Sequence, residues 1–133
     1  MPRRVTNKKG KGTVAERELI HDFWEQGWAC VRVAGSGSSK YPSPDILAGN
    51  GERRYVMEVK TVNAYKKYFT RQEIDELNIF SQRFGAQAWV GIKFKEAQWF
   101  FLPTSELPQT EGENYVIDVV TMKRTGFTFD DIV

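Results

Sequence analysis

Two acidic residues and a lysine are spaced so that a pair of neighbouring strands could bring them together. Asp45 follows Pro44, and twelve residues separate it from the tripeptide Glu58-Val59-Lys60. Carboxylate oxygens are hard ligands, and Mg²⁺ in proteins binds one or two of them together with water and substrate phosphate. A lysine beside such an ion can hold an attacking water or offset negative charge that develops on a phosphate. The pattern therefore indicates metal-dependent chemistry at a phosphodiester.

The strand predicted over residues 54–60 has two unlike faces. Side chains alternate along a strand, so one face carries three apolar residues and the other ends in Glu58 and Lys60. The apolar residues are Tyr55, Met57 and Val59. A strand that buries this apolar face leaves the acid and the lysine side by side on the other.

A hairpin would place Asp45 beside this strand. The dipeptide Asn50-Gly51 is a strong signal for a two-residue hairpin turn, and Asp45 begins the short strand before it. A turn centred on that dipeptide pairs Asp45 with a residue in the range 54–57. Diagonal reach from Asp45 to Glu58 then brings two carboxylates to one edge of the sheet.

The same pattern has an ordinary alternative explanation, because a Glu/Lys pair on alternate strand positions is often a solvated face. The composition narrows the chemistry in another way. His21 is the single histidine and Cys30 the single cysteine, which excludes zinc sites built from several histidines or from cysteine pairs. A Ser-His-Asp triad would have to use His21, which lies in a charged helical stretch. Cys30 is expected to be a buried strand residue.

A third acid, Glu16, lies in the first predicted helix, Val14 to Gln26. The stretch from Thr13 to Glu16 matches a capping box, in which the glutamate bonds the backbone of the N-cap residue. Alternatively, Glu16 shares the edge of the helix face that packs on the sheet and supplies a third carboxylate to the metal site. One glutamate cannot readily do both with the same oxygens, and the sequence leaves both roles open.

The remaining elements predict one α/β domain with a mixed central sheet flanked by helices. Strands are expected over 28–34, 45–48, 54–60, 87–94 and 98–102, a second helix capped by Thr70 over 71–84, and a final edge strand over 114–119. The stretch 61–69 is predicted to be a basic, aromatic loop, and the tail from residue 121 gives no clear signal.

Charge is segregated along the chain although the formal net charge is +2. Residues 1–12 carry five basic side chains and no acid, and a flexible basic arm ahead of a domain over 13–133 is a common nucleic-acid footprint. A solvated, disordered terminus is the plain alternative, and the two are compatible because DNA can order an arm. No apolar run approaches the ~20 residues that span a bilayer, and no secretory signal follows the basic start. We therefore expect a cytoplasmic, DNA-associated protein without a membrane partner.

Several further segments resemble one family of nucleases. Glu16, Asp45 and Glu58-Val59-Lys60 together look like the PD-(D/E)xK nuclease superfamily. More narrowly, the chain resembles the archaeal Holliday junction resolvases of the Hjc/Hje group over most of its length, and least in its C-terminal third. The segments that carry this resemblance are 11–18 (KGTVAERE), 31–32 (VR), 36–38 (SGS), 44–48 (PDILA), 58–60 (EVK) and 80–85 (FSQRFG).

The resemblance implies a restriction-endonuclease-like nuclease fold and Mg²⁺ as the cofactor, with Mn²⁺ as a substitute. It implies that Asp45, Glu58 and the backbone carbonyl of Val59 bind the metal. Glu16 would complete the acidic site as a catalytic and metal-binding residue, and Lys60 would act on the water or the phosphate.

A loop serine is also implied. Ser36 matches a family serine required for cleavage, where it would position the scissile phosphate. Ser38 or Ser39 could be confused with it, and a residue of a merely flexible loop is the plain alternative.

Basic residues on several elements are expected to contact DNA. Arg17 and Arg32 match basic residues that lie near DNA in the family. Further phosphate contacts are expected from Lys8, Lys9 and Lys11 of the arm and from Lys40, Lys66, Lys67 and Arg71. Such contacts hold the DNA backbone and carry no sequence information, so a junction would be recognised by its shape.

The resemblance also implies a homodimer, because paired cuts on opposing strands need two sites related by a two-fold axis. Phe80 and Phe84 match helix aromatics in a region tied to the dimer, although core packing explains them equally well. The segment Trp99-Phe100-Phe101 is apolar on both strand faces. We expect it to bury one face in the core and the other in a partner, slightly ahead of a central strand within one subunit.

The expected activity is metal-dependent resolution of four-way DNA junctions by paired symmetric nicks that leave 5′-phosphates. One alternative is another PD-(D/E)xK repair or restriction-like endonuclease that acts on linear or nicked duplex. A second alternative is a junction-binding protein without catalysis, against which the intact Asp45, Glu58 and Lys60 argue. No small-molecule substrate is expected.

Overall fold

A computed structural model describes residues 7–35, 40–95 and 97–133, with side chains from residue 14 onward. Its elements in chain order are α1 (Asn7–Glu25), β1 (Ala29–Arg32), β2 (Ile46–Gly49), β3 (Arg54–Val62), β4 (Lys66–Phe69), α2 (Arg71–Phe84), β5 (Gln87–Phe94), β6 (Trp99–Pro103), a short 3₁₀ helix (Thr104–Glu106), β7 (Tyr115–Asp118), α3 (Val119–Thr125), β8 (Phe127–Thr128) and α4 (Phe129–Ile132). Within these described ranges, no helix has the length and apolar character needed to cross a membrane.

Six strands form a mixed sheet in the order β1-β2-β3-β5-β6-β8. Strands β3 and β5 run parallel, and the other neighbouring pairs of this sheet are antiparallel. Parallel neighbours cannot be joined by a tight turn, and the connection between β3 and β5 contains α2. The predicted α/β fold with a mixed central sheet is confirmed.

Two separate apolar layers cover the two faces of the sheet. Met57 and Val59 of β3 pack in one layer with Leu19 and Phe23 of α1. Val56, which points the other way, packs in the second layer with residues of α2. The apolar face predicted for β3 is therefore confirmed, and Glu58 belongs by alternation to the α2 side of the sheet.

Helix α1 begins earlier than predicted, at Asn7 instead of Val14. Thr13 lies inside the helix, so it is not the N-cap and the predicted capping box with Glu16 does not form. The predicted start rested on apolar periodicity, which marks where a helix becomes buried. A helix can extend beyond that point into solvent when no proline interrupts it. The flexibility of residues 1–12 stays a prediction, and residues 1–6 lie outside the described residues.

The turn between β2 and β3 lies one residue later than predicted. The side-chain oxygen of Asn50 accepts hydrogen bonds from the backbone N–H groups of Glu52 (2.9 Å) and Arg53 (2.6 Å). The Asn50 N–H donates to the Arg53 carbonyl at 3.0 Å, so Gly51 and Glu52 form the two-residue loop. Gly51 has φ 95°, a conformation that favours glycine. Asn50 is thus the first corner of the turn rather than its centre.

This turn sets the register on which the carboxylates depend. Ile46 lies opposite Met57, and Leu47 lies opposite Val56. The pairing is displaced by two residues from the predicted one, which brings Asp45 level with Glu58 instead of diagonal to it. A displacement of two keeps every side chain on its predicted face.

The prediction of a loop over 61–69 is wrong. Strand β3 continues to Val62, and Lys66–Phe69 form β4, which pairs with β7 in a small two-stranded sheet. Strand β7 corresponds to the edge strand predicted over 114–119, but it pairs with β4 and not with the central sheet. Phe69 alone among the β4 residues is buried, so the segment lacks the apolar alternation by which a strand is recognised.

The expectation that Trp99-Phe100-Phe101 covers a partner subunit is also wrong. Strand β6 lies between β5 and β8, and all three aromatic side chains are buried within the one chain. Trp99 and Phe101 belong to the α1-side layer and Phe100 to the α2-side layer. The segment is a central strand buried on both faces, which is why apolar residues occur consecutively.

The C-terminal segment closes the α1-side layer. Ile132 is 2% exposed within that layer. Its backbone carbonyl accepts hydrogen bonds from the Tyr55 hydroxyl at 2.6 Å and from Arg53 Nη1 at 3.3 Å. The last helix is therefore fixed to β3 by both apolar contact and hydrogen bonds.

Ile132→Ala is expected to lower the free energy of unfolding by about 2–5 kcal/mol, because it removes buried methyl groups and leaves a cavity. Urea denaturation followed by circular dichroism measures this loss. Val120→Ala is the control, since Val120 is 67% exposed and its truncation should change stability by less than about 0.5 kcal/mol. Equal effects of the two substitutions would contradict the described burial.

Candidate active site

The structure brings Asp45, Glu58 and Lys60 together. Lys60 Nζ lies 3.2 Å from Glu58 Oε2, and the two side chains are 34% and 17% exposed. Asp45 Oδ2 accepts a hydrogen bond from the Val59 N–H at 3.0 Å. The carboxyl groups of Asp45 and Glu58 are close enough to share a hydrogen bond. The two acids and the lysine predicted from the sequence thus form one cluster.

Backbone pairing on three strands fixes this cluster. Asp45 lies just before β2, where its N–H donates to the Met57 carbonyl at 2.9 Å and its carbonyl accepts from the Val33 N–H at 2.8 Å. On the other side of β3, Glu58 pairs with Val90 of the parallel strand β5. Asp45 is therefore clamped between the chain leaving β1 and the middle of β3.

The cluster carries an excess of negative charge. Burial and, next, the nearby Asp45 carboxylate together raise the pKa of Glu58 from 4.5 to about 7, although Lys60 opposes the shift. Burial lowers the pKa of Lys60, but the charges of Glu58 and Asp45 outweigh that effect and the net shift is upward. Lys60 is therefore a firmly held cation, whereas the acid pair is only partly compensated.

Glu73 also affects the pKa of Lys60 in this cluster, and the sequence did not indicate that it would belong to the site. The predicted capping box of α2 is confirmed: Thr70 Oγ1 accepts from the Glu73 N–H at 3.1 Å, and the Glu73 carboxylate accepts from the Thr70 N–H at 2.9 Å. The negative charge of Glu73 contributes to the raised pKa of Lys60. The capping-box pattern indicated the start of α2, but it did not indicate that Glu73 would lie close enough to Lys60 of β3 to affect its pKa.

The donor set of the cluster fits magnesium. Two carboxylates on a rigid strand pair supply hard oxygen ligands, and Mg²⁺ typically takes one or two of these plus water and phosphate. The raised pKa of Glu58 shows a site where added positive charge would be favourable. Within the part of the chain that the structure describes, no group of three or more His, Cys, Asp or Glu residues lies close enough to hold a metal ion. Ligation by the Val59 carbonyl stays a prediction.

Glu16 is held apart from the pair. Its carboxylate accepts a hydrogen bond from Arg32 Nε at 2.9 Å, and α1 packs on the sheet face opposite to the one that carries Glu58. The ion pair nevertheless lies near the site, because Arg32 neighbours Val33, whose N–H bonds the Asp45 carbonyl. A role of Glu16 at the metal stays a prediction, and it requires the carboxylate to exchange Arg32 for the ion.

The basic residues predicted to contact DNA differ in their availability. Arg17, Lys40 and Lys66 are exposed and Lys67 is half-buried. The Arg71 guanidinium is already paired with two acids, Glu113 at 2.7 Å and Asp75 at 3.6 Å. The predicted contact Arg32 is paired with Glu16, as described above. The side chains of Lys8, Lys9 and Lys11, like Ser36, Ser38 and Ser39, lie outside the described residues, and their roles stay predictions.

Comparisons with known proteins agree on one family. A family model described as archaeal Holliday junction resolvase (Hjc) matches residues 7–133. A crossover junction endodeoxyribonuclease Hjc of Archaeoglobus fulgidus is 43% identical over 110 residues, which cover 83% of this chain and 80% of that protein. A crossover junction endodeoxyribonuclease Hje of Sulfolobus acidocaldarius is 31% identical over 103 residues, covering 75% and 74%.

The fold agrees with the same group. The solved structure of Archaeoglobus fulgidus Hjc, a Holliday junction resolvase, matches this structure with a TM-score of 0.83 and 38% sequence identity. The match covers 91% of this chain and 98% of that one.

Glu58→Gln is expected to stabilise the metal-free protein at neutral pH. The folded chain holds the Glu58 proton more tightly than the unfolded chain, since the pKa rises from 4.5 to about 7. Stability therefore falls as pH increases between these values and stays lower above them. In chelator at pH 8 the variant should gain on the order of 1–3 kcal/mol, and at pH 4 the gain should disappear.

Urea denaturation across this pH range measures the difference between Glu58→Gln and the unsubstituted protein. Glu106→Gln removes an acid from an exposed position on the 3₁₀ helix and should reproduce neither the gain nor its pH dependence. A less stable Glu58→Gln variant at pH 8 would contradict the described excess of negative charge.

Proposed function

This chain belongs to the archaeal Holliday junction resolvase family, and we propose that it resolves four-way DNA junctions as a magnesium-dependent endodeoxyribonuclease. One observation carries the proposal: Asp45, Glu58 and Lys60 meet in one cluster within a fold that matches a solved resolvase. A protein that only bound junctions would have no need to maintain a costly pair of like charges.

The residues of the cluster have separate tasks in phosphodiester hydrolysis. Asp45 and Glu58 would hold Mg²⁺, which when bound supplies Lewis acidity toward a phosphate oxygen. The Val59 N–H orients the Asp45 carboxylate. The Lys60 ammonium, kept charged by its acidic neighbours, either holds the attacking water or offsets charge that develops on the phosphate. The sparse exposure of Glu58 limits competing solvent around these groups.

Phosphate contacts would flank this cluster. Arg17, Lys40, Lys66 and Lys67 offer cations for the arms of the junction, together with the basic N-terminal arm. Arg71 would contribute less, because Glu113 and Asp75 already neutralise it. Since phosphate contacts carry no base information, such a surface selects the arrangement of the arms and not their sequence.

A homodimer would place two clusters on opposing strands. Phe84 is 50% exposed and Val31 is 53% exposed, and together with Leu47, Gly49 and Cys30 they line an apolar groove between α2 and the sheet edge formed by β1 and β2. Phe80 packs partly into the α2-side layer, so Phe84 is the helix aromatic that remains available. An apolar patch of this kind on one chain fits burial against a second copy.

Cleavage of labelled DNA tests the proposed activity. A four-way junction and a linear duplex of matched sequence are incubated with Mg²⁺ or with chelator, and the cut positions are mapped on each strand. We expect symmetric, Mg²⁺-dependent nicks on opposing junction strands and an intact duplex. Glu58→Ala should abolish cutting while junction binding persists.

The other outcomes separate the alternatives. Cleavage of junction and duplex alike would keep the active site and replace the substrate with that of a restriction-like or repair endonuclease. Tight junction binding without cuts by the unsubstituted protein would indicate a non-catalytic binding protein.

Phe84→Glu is expected to convert a dimer into a monomer, since the new charge would be buried without a partner at the interface. The fold should survive, because half of the Phe84 side chain is already exposed. Sedimentation equilibrium measures the mass, and Val120→Glu, at a similarly exposed apolar position on α3, should leave it unchanged. A Phe84→Glu protein that stays dimeric would rule out this groove as the interface.

A further inference from the structure

Two exposed tyrosines lie on the segment that follows the catalytic cluster: Tyr65 immediately precedes β4, and Tyr68 lies within it. Tyr65 is 67% exposed and Tyr68 is 54% exposed, and Lys66 and Lys67 lie between them in the sequence. Large aromatic rings usually contribute to a core or an interface, but the described contacts leave these two rings largely uncovered. Their exposure leaves both rings available to a ligand.

The backbone beneath these rings is firmly held. Strand β4 pairs with β7, with Tyr68 opposite Val116 and Lys66 opposite Asp118. The Tyr65 carbonyl accepts a hydrogen bond from the Val119 N–H at 2.8 Å, and Phe69 at the end of the strand is fully buried. Tyr68 is therefore presented from a fixed strand, and Tyr65 from a hydrogen-bonded position directly before that strand.

The chain on both sides of β4 leads to β3, the strand that carries Glu58 and Lys60, or to the helix that packs on it. Tyr65 is five positions after Lys60, which at about 3.3 Å per residue limits the separation of their backbones to roughly 17 Å. Beyond Phe69 the chain enters α2, whose Ile74 and Leu77 pack in one apolar layer with Val56 of β3. DNA whose phosphate occupies the cluster would thus pass close to the tyrosines.

The chemistry of this surface matches nucleic acid with accessible bases. Lys66 and Lys67 can hold phosphates, and the Lys66 Nζ lies 5.7 Å from the centroid of the Tyr65 ring. Exposed aromatic rings beside cations are typical platforms on which unstacked bases lie. In an intact duplex the base faces are stacked on each other, whereas at a branch point that stacking can be interrupted.

We propose that Tyr65 and Tyr68 form a stacking surface for unstacked bases at the centre of a four-way junction and thereby help to distinguish a junction from a duplex. The proposal rests on the proposed junction-resolving function and adds a base-contacting element to it. Lys66 and Lys67 bind the adjoining phosphates, which both kinds of DNA offer.

Binding measurements on three double variants test the proposal. Affinities for a four-way junction and for a matched duplex are measured in chelator for the unsubstituted protein, Tyr65→Ala/Tyr68→Ala, Tyr65→Phe/Tyr68→Phe and Lys66→Gln/Lys67→Gln. We expect the alanine variant to bind the junction roughly 5- to 150-fold more weakly with its duplex affinity unchanged. The phenylalanine variant should retain junction affinity because the ring alone stacks, and the glutamine variant should weaken both complexes.

Equal weakening of junction and duplex by the alanine variant would assign the tyrosines to general backbone binding and overturn the proposal. Unchanged junction affinity, or a phenylalanine variant as weak as the alanine variant, would overturn it as well. Thermal unfolding of each variant checks the fold, which should be unaffected at such exposed positions.

A parallel cleavage assay of the unsubstituted protein separates this inference from the proposed function. If that protein cuts junctions but the tyrosine variants keep full junction preference, the inference fails and the function stands. If the unsubstituted protein neither prefers nor cuts junctions, the function fails and the inference fails with it.

Discussion

Asp45 and Glu58 hold like charges within hydrogen-bonding reach at a largely buried position, and the surrounding structure must keep them there against their repulsion. Strand β3 does this by being covered on both faces, by α1 and by α2. It also pairs with the parallel strand β5, whose residues opposite Glu58 and Lys60 are the apolar Val90 and Ile92. The hydrogen bond from the Val59 N–H fixes the Asp45 carboxylate from the strand itself. A cation bound between the acids would relieve the repulsion, so the unfavourable pair is also the source of the affinity of the site for metal.

The two faces of the sheet serve different purposes. The α1 side holds a continuous apolar layer that includes Trp28, Trp89 and Phe101, whereas the α2 side carries the charged cluster at the margin of its own layer. Glu16, on α1, bonds to Arg32, a residue predicted to lie near DNA. A role of Glu16 at the metal would therefore require this ion pair to open. Binding of DNA to Arg32 and completion of the acidic site would then be linked.

Local chemistry made some of these features predictable from the sequence. Alternation identified the apolar face of β3, and the capping box identified the start of α2, because both depend on residues a few positions apart. The register of β2 and β3 differs by two residues from the predicted one, because the Asn50 side chain accepts hydrogen bonds from two backbone N–H groups and shifts the turn. The dipeptide Asn50-Gly51 alone does not indicate this arrangement. Strand β4 was missed since its partner β7 lies far along the chain, and Glu73 was missed since its proximity to Lys60 arises only when α2 folds onto β3. The consecutive aromatic residues of β6 did not reveal what would cover the second face of the strand. A partner subunit and a second apolar layer of the same chain would both require apolar residues there.

The first and last helices of the described chain meet through their aromatic rings: the centroids of Phe23 and Phe129 lie 5.0 Å apart in an edge-to-face contact. This contact joins residues that are far apart in the sequence, and the parallel pairing of β3 with β5 is likewise non-local. A high proportion of contacts distant in sequence slows the conformational search, because loop-closure entropy is lost before the contacts form. We therefore expect the α1-side layer to be completed late in folding, and its two ends to melt as one cooperative unit rather than to fray separately.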